Sequence, residues 1–232
     1  VVNLQIGTRT YARLNFMEFI NDIIQYPHLS NALFVCILSG IACGIVGTYI
    51  VARRMVFLSG GITHSSFGGL GIALYANTNP IVGALIFAIA AAFGIEWASE
   101  RGRIRQDSAI GIVWSVGMAI GIVFMNLRPG YTAGDLAAYL FGSIITVTEG
   151  DVVALGVLCA ALIIGALLWL RHIMFVAFDR DFAASQGIPI RTISYIMAIV
   201  VAVTIVLSIR AMGIILLISL LTMPAVIVNS IT

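Results

Sequence analysis

Charged side chains are scarce in this sequence of 232 residues, of which 9% are charged and 61% are hydrophobic. Lysine is absent, and the formal net charge of +2 comes without the basic patch that nucleic-acid binding requires. No soluble core of this size needs so much apolar surface. The apolar runs are also too long and continuous for the alternating strands of an outer-membrane barrel. The composition therefore predicts an all-α, polytopic membrane protein that binds no nucleic acid.

Several motifs that carry chemistry are also missing. Cys36, Cys43 and Cys159 lie inside apolar runs without Cys-x-x-Cys spacing, so we expect neither a metal site nor a disulfide from them. No glycine-rich phosphate-binding loop is present, so any ATP hydrolysis must come from a partner. No Asp or Glu falls inside a predicted span. This argues against a secondary transporter, because ion coupling uses intramembrane carboxylates.

What the sequence does contain is a series of apolar segments bounded by arginines. The predicted spans are residues 31–52, 53–75, 81–95, 109–126, 152–170, 191–209 and 214–231. Arginines 53, 54, 101, 103 and 105 follow inward-running spans, so the positive-inside rule predicts that these ends are cytoplasmic. Residues 136–147 are apolar but too short to cross a membrane at ~1.5 Å per residue. We therefore expect about seven transmembrane helices plus a short re-entrant or outer helix.

The two ends of the chain differ from the rest. Residues 1–16 hold two arginines but no continuous apolar run, so they do not form a signal peptide. We expect them to be upstream sequence or an artificial addition, with Met17 as the true start. The last span stops at Thr232 without a charged flank, so we expect a truncation there. Residues 17–232 then form one transmembrane domain.

Residues 53–75 are the stretch around which the chain is organised, because an apolar run of membrane length holds one histidine near its middle. In a helix, three-and-four spacing places one set of residues on a single face. That set is Phe57, Gly60, Gly61, His64, Gly68 and Gly71. Small residues allow another helix backbone to come close, but they also leave room for a permeating ligand beside the imidazole. An ionisable residue at this depth is a functional-site hypothesis by default.

The predicted cytoplasmic loop at residues 171–191 has helix signals of its own. Asp179 and Asp181 would lie at a helix N-terminus, where negative charge is favoured. Gly187 is a natural stop, and Pro189 prevents continuation. The pattern predicts a short helix on the cytoplasmic surface. An ordinary connecting loop is the alternative, but a capped helix is more than a connector needs, which favours a docking role.

Four segments, taken together and in order, resemble the metal-type ABC transporter permeases, which import zinc, manganese or iron. They are Arg53-Arg54-Met55 with His64 nine residues after Met55, Ala138-Tyr139-Leu140-Phe141-Gly142-Ser143, the loop from Phe178-Asp179 to Gly187, and the last span from Met212-Gly213 to Met223-Pro224-Ala225. The resemblance covers the chain from about Leu29 to its end.

The resemblance implies a transport subunit of the bacterial plasma (inner) membrane that is not itself an enzyme and binds no cofactor. Residues 17–232 would be its permease domain, surrounded by membrane lipid. Its partners would be a second permease copy, with the pore at the dimer interface, an ATPase below and an extracytoplasmic metal-binding protein. The residues that couple the permease to the ATPase would be Asp179, Asp181, Phe182, Ala183 and Gly187.

The resemblance also assigns a metal site to His64, beside a pore lined by Gly60, Gly61 and Gly68. In the family, an aspartate stands four residues before the histidine, and here that position is Gly60. Without the carboxylate, a dimer offers two imidazoles to the passing ion. Such a site suits zinc or iron(II) better than manganese.

Two alternatives stay open. A glycine-lined pore would also accept a metal chelate such as haem or cobalamin, so an ABC permease for such a ligand is the first. An intramembrane serine protease is the second, because Ser59, Ser65 and Ser66 lie near His64. The Gly-x-Ser-Gly type of elbow is absent, which disfavours the protease.

Overall fold

Helices account for nearly all of the chain that the computed structural model describes, namely residues 25–101, 104–128, 142 and 147–231. They are α1 (Pro27–Ala52), α2 (Val56–Tyr75), α3 (Pro80–Glu100), α4 (Gln106–Leu127), α5 (Glu149–Phe178), α6 (Arg180–Ser185) and α7 (Ile190–Ile231). No strand occurs in these described ranges. The all-α prediction is confirmed.

Helix α2 lies at the centre of the bundle and contacts α1, α3, α4 and α7. Of its 20 residues, 14 are buried. At ~1.5 Å per residue it is about 30 Å long, which matches the hydrocarbon thickness of a bilayer. Because protein rather than lipid covers most of this helix, it can hold glycine, serine and threonine at membrane depth.

Within the described residues, the lengths of the helices are compatible with the prediction of about seven spans. Five helices are long and apolar enough to cross a membrane by length and composition: α1, α3, α4, α5 and α7. The buried helix α2 also has membrane length. Helix α7 has 42 residues, which at ~1.5 Å per residue is about twice the thickness of the hydrocarbon core. It is therefore long enough for two crossings.

Helix α7 turns back at Gly213, whose φ of 72° and ψ of 172° lie outside the helical region. Its first turns lie beside the end of α1, where an Arg53 Nη1–H donates to Ser194 Oγ at 3.2 Å. Met212 shares a hydrophobic cluster with Val35, near the start of α1. The first part of α7 therefore runs antiparallel to α1.

The second part of α7 returns along the same helix. A Cβ at Gly47, near the end of α1, would overlap the carbonyl of Leu221. Leu221 thus lies at the end of α1 from which α7 started. This arrangement agrees with two separate spans at residues 191–209 and 214–231, joined by a tight turn.

Helix α3 is longer than the sequence predicts. The predicted span ended at Ile95 and the next began at Ala109, but α3 continues to Glu100 and α4 begins at Gln106. The helix extends past the apolar run because Glu96 and Glu100, which interrupt that run, both have cationic partners in the fold. The connection between the two helices is only residues 101–105.

The ionic contacts mark the two ends of the bundle. One end holds Arg53, Glu96 and Arg180, and Arg101 follows directly after α3. At the other end Asp151, in the first turn of α5, binds Arg210 at 3.0 Å. The structure thus brings the end of α1, Arg101 and the predicted docking helix to one end, as the arginine distribution predicts.

Some expectations fall outside the described residues. These are the assignment of residues 1–16 and the expectation of a truncation after Thr232. Of the predicted short outer helix at residues 136–147, only Gly142 and Val147 are described.

The two-ended distribution of charge predicts how the chain lies in the membrane. We expect Glu149→Cys to react with an impermeant thiol reagent in intact cells, whereas Arg101→Cys reacts only after permeabilisation, because both side chains are exposed but at opposite ends. The background variant would lack Cys36, Cys43 and Cys159. Strong labelling at position 101 in intact cells would show that this end faces outward and that the predicted topology is wrong.

Candidate functional site

His64 lies near the middle of α2, with its imidazole flat against the indole ring of Trp114 on α4. The ring centroids are 4.5 Å apart and the planes differ by 5°. The Nδ1 atom is buried and has no hydrogen-bond partner among the described residues. Leaving a buried polar atom unpaired costs about 1–3 kcal/mol. A ligand or a second chain that satisfied this nitrogen would therefore be stabilised at the site.

Three glycines on the same face of α2 as His64 form a seam of direct contacts with α4. A Cβ added to Gly61, Gly68 or Gly71 would overlap α4. The α4 residues that they meet are Ile110, Gly117 and Gly121. Close approach of backbones is the way in which small residues join helices in lipid. The face therefore fixes α2 against α4.

Gly60 differs from the two other glycines that the sequence assigns to a pore. A Cβ at Gly60 would lie 3.7 Å from the nearest atom of Trp114, which is an ordinary contact distance. A Cβ at Gly61 would overlap the side chain of Ile110, and one at Gly68 would crowd α3 and α4. Within one chain, the structure thus brings Gly60 beside the His64–Trp114 pair and places Gly61 and Gly68 in helix contacts.

One imidazole is an incomplete metal site. Among the described residues, no group of three or more His, Cys, Asp and Glu side chains could hold a metal ion. Transition metals in protein sites usually take about four ligands. A complete site at His64 would therefore need donors from a second chain or water molecules that the ion retains.

The serines near His64 are used in local bonds. Ser59 Oγ–H donates to the Val56 carbonyl at 2.8 Å, and Ser65 Oγ–H donates to the Ile62 carbonyl at 3.0 Å. Ser and Thr commonly bond to the preceding turn of their own helix. A serine protease needs a hydroxyl hydrogen-bonded to its base, so this geometry disfavours the protease alternative.

The predicted short helix is present as α6, with a cap at each end. The Asp179 carboxylate accepts the Phe182 N–H at 2.9 Å, which makes Asp179 the N-cap. After the last turn, Gly187 N–H donates to Ala184 O at 3.0 Å and Ile188 N–H donates to Ala183 O at 3.1 Å. Gly187 has a φ of +71°, which only glycine adopts readily.

The two sides of α6 differ in exposure. Ala183 is fully buried, so this side rests on the rest of the chain. Phe182 remains 45% exposed although its ring touches Phe175 with centroids 5.4 Å apart. Asp181 lies in the first turn of the helix. A capped helix with an exposed aromatic side chain has the properties expected of a docking element.

A buried ionic cluster beneath α6 is the feature that the sequence analysis missed. Glu96 is 3% exposed, and its Oε1 accepts a hydrogen bond from Arg180 Nη2 at 2.8 Å. Arg53 Nη2 lies 3.9 Å from the same oxygen. Glu96 lies outside the predicted span at residues 81–95, but α3 includes it among its buried residues. The signal was an acidic residue directly after an apolar run, but nothing local links Glu96 to Arg180.

The bundle, with its charged end and its short capped helix, defines a multi-pass helical membrane protein. Within that class, the model of the ABC 3 transport family matches residues 25–232. The chain belongs to this family. The resemblance to metal-type ABC permeases is confirmed.

Individual proteins and a solved structure are also similar to this chain. The chain is 35% identical over 214 residues to an uncharacterized membrane protein of Synechocystis sp., covering 92% of this chain and 76% of the relative. It is 32% identical over 211 residues to the manganese transport system membrane protein MntC of Halalkalibacterium halodurans, covering 90% and 72%. The structure of PsaBC from Streptococcus pneumoniae in complex with Fab superposes with a TM-score of 0.77 at 27% identity, covering 91% and 76%.

The difference between the two kinds of glycine gives a matched test. Gly71→Ala would place a methyl group against the Gly121 backbone, and such overpacking typically costs ~1–3 kcal/mol. Gly60→Ala meets only the Trp114 ring at van der Waals distance. We expect Gly71→Ala to lower the melting temperature of the purified protein in detergent, and Gly60→Ala to leave it unchanged. Equal melting temperatures for the two variants would contradict the close contact of Gly71 with α4.

Proposed function

We propose that this chain is the membrane subunit of an ATP-driven importer of divalent metal ions, with manganese as the cargo. The observation that carries the proposal is the match to the ABC 3 family over residues 25–232. His64 supports it, because the central helix holds an imidazole, a group able to bind metal ions, whose Nδ1 has no protein partner in the described part of the chain.

The manganese assignment rests on relatives rather than on the donor set. MntC of Halalkalibacterium halodurans is named a manganese transport system membrane protein, and ScaB of Streptococcus parasanguinis a manganese import system permease protein. Imidazole alone suits zinc or iron(II) better than manganese, so the donor set of one chain does not by itself select manganese. A weak site is still compatible with transport, because a permeating ion must leave as readily as it enters.

The ion path in this proposal lies where two copies of the permease meet. One chain provides His64 with Gly60 beside it, and a second copy would provide a second imidazole. Gly61 and Gly68 would contribute by fixing α2 against α3 and α4 and so setting the position of that path. An extracytoplasmic binding protein would deliver the ion at the end that holds Asp151 and Arg210.

Energy would come from a partner ATPase at the opposite end, with α6 as the contact. Phe182 is the exposed apolar side chain of α6, and Asp181 adds charge in the first turn. The caps at Asp179 and Gly187 keep the helix short and fix its direction. Ala183 would seat the helix on the bundle. We place the complex in the bacterial inner membrane.

The first functional prediction concerns His64. In the complex reconstituted with its ATPase and binding protein, His64→Ala should reduce metal uptake with little effect on assembly. His64→Leu should reduce uptake more, because an apolar side chain of similar size fills the path without offering a ligand. The measurement is uptake of radioactive manganese, zinc and iron, which also ranks the three ions.

Gly60→Asp is the complementary variant. A carboxylate at this position would lie one helical turn from His64 and would supply the hard oxygen that manganese prefers. We expect tighter Mn²⁺ binding and slower release. Gly60→Asn is the uncharged control of nearly the same size and should not tighten binding. Uptake at the unmodified level in both His64 variants would show that the ion path lies elsewhere.

The second functional prediction concerns α6. Gly187→Val forces a β-branched residue to a φ of +71° and should disrupt the end of the helix. We expect the permease to remain in the membrane while ATP hydrolysis stimulated by the Mn²⁺-loaded binding protein falls. Phe182→Ser should have the same effect by removing the apolar contact.

Gly165→Val is the control for Gly187→Val, because it places the same side chain on α5 where a Cβ meets no atom within 4 Å. It should leave coupling intact. If stimulated ATP hydrolysis is normal in both Gly187→Val and Phe182→Ser, α6 is only a connector and the docking assignment fails.

A further inference from the structure

We propose that Arg180 and Glu96 form a releasable latch that transmits movement of α6 to the membrane-spanning helices. The inference rests on the proposed function, because it takes α6 as the element that the ATPase moves. It goes beyond that function by naming the residues that connect α6 to the spans. Arg180 is the first residue of α6, and Glu96 lies near the end of α3.

The contact between these residues is strong and directional. Arg180 Nη2 lies 2.8 Å from Glu96 Oε1, and the Glu96 side chain is 3% exposed. The same nitrogen lies 2.8 Å from Ser194 Oγ, in the second turn of α7. Charge-assisted hydrogen bonds of this length are roughly twice as strong as neutral ones. One guanidinium therefore ties α6 to both α3 and α7.

A second guanidinium lies within reach of the same carboxylate. Arg53 Nη2 is 3.9 Å from Glu96 Oε1, too far for a hydrogen bond but close enough for strong attraction. Its Nη1 donates to Tyr49 Oη at 2.9 Å and to Ser194 Oγ at 3.2 Å. Arg53 is 7% exposed, and because these two partners belong to α1 and α7, it is held in the bundle by residues outside α6.

Two arginines around one carboxylate allow the latch to open. A buried carboxylate that loses its only cation is strongly destabilised. Here, withdrawal of Arg180 leaves Glu96 beside Arg53, which needs to move only about 1 Å to reach hydrogen-bonding distance. Arg180 in turn is 39% exposed and can enter solvent. Its buried Nε has no partner in the described residues, so the closed state does not satisfy all of its donors.

The cluster thus has two discrete arrangements. In the structure, Glu96 is bonded to Arg180, and α6 is held on α3 and α7. In the other arrangement Glu96 is bonded to Arg53, and α6 is free to follow the ATPase. Coupling between distant sites requires an element with two such states, whose balance both sites can shift.

The test uses the complete complex of permease, ATPase and binding protein in liposomes. Arg180→Met removes the latch but leaves Glu96 neutralised by Arg53, so the complex should assemble in normal yield and keep its basal ATP hydrolysis. Stimulation of hydrolysis by the Mn²⁺-loaded binding protein should fall about tenfold, within the usual range of allosteric coupling. Manganese uptake should fall by a similar factor.

Glu96→Met tests the shared carboxylate separately. It leaves Arg53 and Arg180 together without a counter-charge, so we expect a clearly lower yield of folded permease than for Arg180→Met. The double variant Glu96→Met/Arg53→Met removes one of the two excess charges and should recover part of that yield. Equal yields for Glu96→Met and Arg180→Met would overturn the proposal that two arginines share one carboxylate.

Arg191→Met is the matched control. Like Arg180, Arg191 lies within 4 Å of a glutamate of α3: it is near the start of α7 and 3.9 Å from Glu100. Its side chain, however, is 84% exposed. Exposed pairs of this kind contribute little, so stimulation should remain normal. A loss equal to that of Arg180→Met would show a general effect of charge at this end and would overturn the latch. Failure of Arg180→Met to assemble would assign the pair a purely structural role and would also overturn it.

Phe182→Ser distinguishes failure of the latch from failure of the docking assignment. If Phe182→Ser uncouples the complex and Arg180→Met does not, α6 docks on the ATPase but the latch proposal is wrong. If neither variant uncouples, the docking role of α6 fails as well.

Discussion

The close approach of α2 to α3 and α4 is the constraint on which the rest of the structure depends. Gly69 of α2 and Gly83 of α3 bring the backbones of these two helices so close together that neither position has room for a Cβ. Inside a membrane the hydrophobic effect does not drive helices together, because lipid tails are as apolar as the side chains. Van der Waals contact between closely packed helices has to take its place. The seam sets the position of α2 and therefore the depth of His64. It also explains why a helix with several polar residues can occupy the centre of a membrane protein.

Most of the fold could be predicted from the sequence, because the signals for it are local. Apolar length, arginine flanks and the Gly213 turn are each contained within a few residues, as are both caps of α6. The position of His64 on a glycine face also follows from helical periodicity. What periodicity could not decide was whether the glycines faced a helix or a gap, since both interpretations require small residues. The answer depends on the facing glycines of α4, Gly117 and Gly121, which lie about fifty residues further along the chain.

The ionic cluster could not be predicted, for a related reason. Glu96 and Arg180 are 84 positions apart, and each alone resembles an ordinary charge next to a span. Only the fold shows that the glutamate is buried and that the arginine of a loop reaches it. The Glu96 carboxylate also explains why α3 continues beyond the predicted end of its span. A helix can extend through an acidic residue when a partner compensates the charge, and a hydropathy reading of one segment does not include the partner.

An ion pair serves a different purpose here from the apolar contacts that hold the spans together. Apolar contact is non-directional and selects no particular partner atom, so a helix seated only on Ala183 would have no defined alternative position. A buried carboxylate, in contrast, must remain close to a cation, because the cost of leaving it unpaired exceeds what most single contacts supply. Arg53 and Arg180 are the two cations within 4 Å of it, and the proposed latch exchanges one for the other. The burial that makes Glu96 costly to isolate is therefore what makes the junction between α6 and α3 a two-state element rather than a flexible one.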